Sequence, residues 1–112
     1  MIAGRVYSKP NVHLWEIDPE LLEGLAVAAN IFGRHGLYCM VTSLNDDQHR
    51  ANSLHYKGRA MDLRSHHAPE SCKDDILAEL RAALGDERWD ILLERRGEPG
   101  EHFHLEIDPI GD

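Results

Sequence analysis

From Leu21 the chain sets apolar residues at helical spacing: Leu21, Leu22, Leu25, Ala28, Ala29 and Phe32. Steps of three and four residues put them on one side of a helix. Asp18 is placed to cap that helix, and Pro19 suits its first position. Glu20 and Glu23 favour the positive end of the helix dipole. Gly33 or Gly36 supplies the stop. LYCMVTS (37–43) is short and β-favouring, and Gly36 and a polar stretch bound it, so it reads as a strand. Residues 44–54 read as a loop. RAMDLRS (59–65) alternates as a strand does. A second helix is predicted from Pro69 to Leu84, with Cys72, Ile76, Leu77, Leu80, Ala83 and Leu84 as its stripe and Gly85 as its stop. WDILLE (89–94) and HFHLEI (102–107) flank RRGEPGE, whose Gly97, Pro99 and Gly100 suit a hairpin turn. The order predicts an α+β domain, a small, mainly antiparallel sheet packed against two helices. A chain of 112 residues suits one domain spanning 1–112.

Charge narrows the partners. The formal net charge is −8, and phosphate neutralisation needs the opposite surplus, so nucleic acid is not the expected partner. Arg95-Arg96 is the only short basic run. No apolar run reaches the roughly 20 residues of a membrane span. MIAGRVYSKP has no signal-peptide core, so the expected location is cytoplasmic as synthesised, with cell-wall action only after release. Cys39, in LYCMV, reads as a buried thiol, and no metal-type CxxC spacing links it to Cys72.

Eight histidines in so short a chain draw attention to SLHYKGRAMDL (53–63). On a helix His55 and Asp62 would stand about 10 Å apart, and on one strand over roughly 20 Å. They can share an ion only if the chain folds back between them, and Lys57-Gly58 allows such a bend. Beyond it, alternation puts Ala60, Asp62 and Arg64 on one face and Met61 and Leu63 on the other. In EHFHLEID, His102, His104 and Glu106 share a face opposite Phe103, Leu105 and Ile107. The two segments together offer two imidazoles and a carboxylate. Zinc sites with three N/O ligands keep a position for water, which the metal makes more acidic. Such chemistry needs a further carboxylate to move protons. Glu101 is the first candidate, with Glu98 and Glu106 as competitors.

SLHYKGRAMD resembles the Ser-x-His-x-x-x-Gly-x-Ala-x-Asp motif of the zinc D-alanyl-D-alanine carboxypeptidases and dipeptidases. That family includes phage L-alanyl-D-glutamate endopeptidases and shares its fold with the hedgehog signalling domain. Glu101-His102-Phe103-His104 is similar to its second signature, an acidic residue three before a zinc-binding His. The likeness runs over roughly residues 20 to 108. It implies a hedgehog/DD-peptidase-like fold, Zn2+, and His55, Asp62 and His104 as its ligands. It implies Glu101 as catalytic base and Ser53 as a substrate contact. The family's Arg for the developing oxyanion has no matching Gly-x-Arg here; Arg50 is the nearest, with His49 or Gln48 as other donors. Such a donor is worth about 3–4 kcal/mol of barrier. His102 would be a substrate or transition-state contact on the same face. His66 and His67 are expected to be exposed.

The resemblance thus implies a zinc metallopeptidase acting on short D-residue-containing peptides, the stem peptides of peptidoglycan. The expected partner is that peptide, with no nucleic acid, no membrane and a monomeric state. The competing reading is a non-catalytic zinc-binding module of the same fold used for partner recognition. A metal-independent phosphoesterase would need a second His-x-Thr/Ser pattern or a basic phosphate cradle, and neither is seen.

Overall fold

The computed structural model describes residues 1–14, 17–44 and 59–107. Along these runs come β1 (Val6–Ser8), α1 (Pro19–Arg34), β2 (Cys39–Leu44), β3 (Ala60–Arg64), α2 (Glu70–Leu84), β4 (Trp89–Glu94) and β5 (His102–Ile107). Asp18 caps α1 as its type dictates. Its Oδ1 accepts from the Glu20 and Leu21 amides at 2.8 and 3.4 Å, a contribution of about 1 kcal/mol. Glu20 itself holds Arg88 across the fold at 2.7–2.8 Å. Helix α1 runs one residue past Gly33, and the chain reverses at Gly36, whose φ of +77° costs a glycine nothing. Pro69 stands as the N-cap of α2 and Gly85 as its C-cap.

The strands form one five-stranded mixed sheet in the order β1-β2-β3-β5-β4. β1 joins β2 in parallel; the other three pairings are antiparallel. The expected α+β architecture of two helices on a mainly antiparallel sheet is therefore present. The hairpin strands begin and end where the pattern set them. β1 is an addition: three residues with no alternating run to mark them. β2 is shifted toward Leu44 relative to the predicted 37–43.

Register decides what each face carries, because residues directly opposite in neighbouring strands share a face. Met61 faces Leu105, Leu63 faces Phe103 and Ile91 faces Leu105. With Val41 and Ile107 they make the apolar side, all buried. Both helices lie there: the Phe32 and Phe103 rings meet edge to face at 5.7 Å, and Ile76 and Leu80 join the same core. Ala83, expected in the stripe of α2, is exposed, and Lys73 is buried instead. The opposite face presents Asp62, Arg64, Glu94, His102, His104 and Glu106. A β-bulge interrupts β2 between Val41 and Ser43, opposite Leu63 and Asp62. Bulges bend a strand and re-aim side chains, and this one lies beside Asp62.

Candidate metal centre

Two central strands position the centre. Asp62 of β3 and His104 of β5 are partners in register. Their side chains meet on the open face, His104 Nδ1 lying 2.8 Å from Asp62 Oδ1. His102 is two residues along β5 and its Nε2 comes within 3.5 Å of the same oxygen. Asp62, His102 and His104 each offer a ligand atom, and these atoms lie within 4.8 Å of one another. Tetrahedral ligands at about 2.0–2.1 Å from zinc stand roughly 3.4 Å apart. Small side-chain rotations therefore suffice to close the set on an ion. The ligand types fit as well: imidazole nitrogen with carboxylate oxygen suits a borderline divalent metal.

Outer contacts fix these rings. His102 Nδ1 lies 2.8 Å from the Gly100 carbonyl, and its Nε2 lies 2.9 Å from Glu94 Oε1. His104 Nε2 lies 2.9 Å from Glu106 Oε1. Ligand histidines in metal sites are commonly oriented by such carbonyl and carboxylate partners. Three carboxylates thus surround two imidazoles. The hydrogen bond to Asp62 outweighs the burial that would lower the His104 pKa, and Glu106 and Glu94 add to it, so the ring is raised to about 9. The surrounding carboxylates thus favour the protonated form of the His104 ring.

Glu101 does something different. Its side chain is 1% exposed and turns to the helix side, in line with Phe103 and Leu105. One oxygen accepts from Lys73 Nζ at 2.7 Å and from Ser65 Oγ at 2.6 Å. The other accepts from the Gly97 amide at 3.1 Å. Burial alone would raise this carboxyl's pKa, but Lys73, Ser65 and the amide prevail and hold it at about 2. The structure therefore does not bring Glu101 to the cluster as a base. The physical reason is strand alternation: the residue before His102 must face the other way.

Of the other predicted residues, His55, Ser53, Arg50, His49 and Gln48 lie outside the described residues, as does the Lys57-Gly58 bend. Glu98 pairs with Arg95 at 3.3 Å on the exposed loop. Glu106 is at the cluster. His66 is exposed, but His67 is not: its ring stacks between Tyr38 and Phe32, with centroids 4.2 and 5.9 Å away. Burial, the leading cause, lowers its pKa. The residue that the sequence reading missed is Glu94. Its carboxylate stands 2.9 Å from His102 and 4.0 Å from His104 Nδ1. Only the pairing of Glu94 with His102 reveals it, and register is not a local property of WDILLE.

No family model, no curated protein and no solved structure matches the chain. Among the described residues, no helix is long and apolar enough to cross a membrane. Cys39 and Cys72 are both free, and burial pushes the Cys39 thiol up to about 12.

Proposed function

We propose that the open face of β3 and β5 is a zinc centre and that the protein is a metallopeptidase acting on short peptides. The carrying observation is the Asp62–His104 pair, 2.8 Å apart in direct register with His102 beside it. Asp62 and His104 are two of the donors. The third is an imidazole: the sequence motif offers His55 and the described cluster offers His102. One pair of variants separates them. The assignment that holds is the one whose Ala variant loses zinc.

A bound zinc would supply Lewis acidity toward a carbonyl and a water of lowered pKa. The chain's own residues do the rest. Glu94 faces the cluster and is 40% exposed, open enough to exchange protons. It takes the proton of the attacking water as the new C–O bond forms. It returns that proton to the amine as the C–N bond breaks. Glu106 orients the His104 ring. The resemblance of SLHYKGRAMD and EHFH to the D-alanyl-D-alanine carboxypeptidases supports stem peptides with D-residues as the substrate class.

The test is a peptide-cleavage screen on zinc-loaded protein, read by mass spectrometry, with Glu94→Gln and Glu101→Gln in parallel. We expect Glu94→Gln to keep zinc and lose activity by about 100-fold or more. Zinc binding without cleavage of any stem peptide would instead favour a recognition module.

A further inference from the structure

Beside the cluster lies a cleft of about 330 Å³ whose walls include Lys9, Thr42, Arg64, His66, Gly100 and His102. Its chemistry is the reverse of the protein's. The chain carries net charge −8, yet the cleft gathers a lysine and an arginine, beside the His66 ring held by the Pro99 carbonyl and the His102 ring held by the Gly100 carbonyl and Glu94. The one carboxylate in its lining is Glu101, whose oxygens are already taken by Lys73, Ser65 and the Gly97 amide. Among the described residues no carboxylate forms a salt bridge with Lys9 or Arg64.

The walls are fixed by backbone. The Lys9 amide donates to the Val41 carbonyl at 3.1 Å, which ties its segment to the bulged strand. His66 Nε2 lies 2.9 Å from the Pro99 carbonyl and pins the hairpin loop across the end of β3. Arg64 pairs in register with His102 and so stands on the face of the metal cluster. It is two residues from Asp62, about 6.6 Å along the strand. An extended peptide covers roughly 3.3–3.6 Å per residue. An anion in the cleft would therefore lie one or two residues from a carbonyl held at the cluster.

We propose that the Lys9–Arg64–His66 cleft is a carboxylate subsite for the peptide, receiving an acidic group one or two residues from the bond to be cleaved. The bound group can be a terminal or a side-chain carboxylate, because both present the same two oxygens to a guanidinium. The inference rests on the peptidase reading for the word peptide, but its test does not need turnover.

Zinc-loaded 15N-labelled protein is titrated with acetyl-Ala-Ala, with acetyl-Ala-Ala-amide and with acetyl-Ala-Glu-amide. At least one acidic probe should bind about tenfold tighter than the neutral amide, since a charge-assisted contact is worth about 1.5 kcal/mol or more. Shifts should centre on Thr42, Arg64 and His66. Tighter binding of acetyl-Ala-Ala assigns the terminal carboxylate, and tighter binding of acetyl-Ala-Glu-amide the side chain; either supports the subsite. The Lys9→Gln/Arg64→Gln double variant should lose the preference at unchanged zinc content. Equal binding of acid and amide, a preference that survives in the double variant, or no binding of any probe overturns the proposal. Loss of cleavage with these titrations intact would overturn the peptidase reading alone.

Discussion

Glu101 and His102 are neighbours in sequence and belong to two unlike polar clusters. Behind the sheet, Glu101, Lys73 and Ser65 form a sealed network in which each charge has its partner, Lys73 also reaching Glu70 at 3.1 Å. In front, Asp62, Glu94 and Glu106 outnumber two imidazoles and stay half-open to solvent. A buried and satisfied network fixes geometry, because removing one partner strands the other. A carboxylate-rich open cluster is short of positive charge and favours a positive group beside it. The difference shows that a charged residue's role follows from the face it occupies more than from its neighbours in sequence. The rear network ties the start of β5, the end of β3, α2 and the hairpin loop together. It thereby holds the front cluster's two strands in register.

The largest way to break this contrast is to open the rear network. Lys73→Met leaves a buried carboxylate unpaired and should cost about 3 kcal/mol in urea unfolding. A stable variant would mean that Glu101 finds water and the network is not sealed.

At the front, a ligand change should act on metal and barely on fold. Whichever of His55→Ala and His102→Ala removes the third donor should weaken zinc binding by about 100-fold, and the other by less than about tenfold. Competition with a chromophoric chelator measures both, and equal small losses would contradict a three-donor centre.

Acid separates the clusters as well. Glu101 is held at about 2 against an ordinary 4.5. A depressed carboxyl contributes stability that is complete above its unfolded value and is lost as pH falls through the folded one. Wild-type stability should therefore decline from about pH 4.5 toward pH 2, and Glu101→Gln should lack that component. His104, raised to about 9, puts the pH dependence of metal binding in a higher window. Zinc must displace its proton, so affinity should tighten about tenfold per pH unit up to about pH 9, with proton release visible by calorimetry in buffers of different ionisation heat. Smallest is Glu106→Gln, which loosens the His104 ring and should cost about tenfold in zinc affinity without removing a ligand.

Much of this was legible in the sequence, for reasons that also mark where reading stopped. The period of two placed Asp62, His102 and His104 on a polar face and Met61, Leu63, Phe103 and Leu105 on an apolar one, because pleating imposes it locally. Asp18 and Pro19 announced the start of α1 through backbone chemistry alone. The same alternation, run back one residue from His102, already sets Glu101 beside Phe103. The motif spacing points the other way, and the structure follows the alternation. Glu94 needed cross-strand register, which the half-buried run Leu92-Leu93-Glu94 does not encode. Lys73 was hidden because a lysine on a helix is ordinarily solvated, and only its buried carboxylate partner explains it. β1 is too short for any pattern.

Equilibrium dialysis against zinc at pH 8, with metal counted by mass spectrometry, tests the central claim most directly. Wild-type protein should hold about one zinc per chain, and Asp62→Asn and His104→Ala should hold almost none while remaining folded by circular dichroism. Zinc retained in full by both variants, or absent from the wild type, would contradict a metal centre on this face of the sheet.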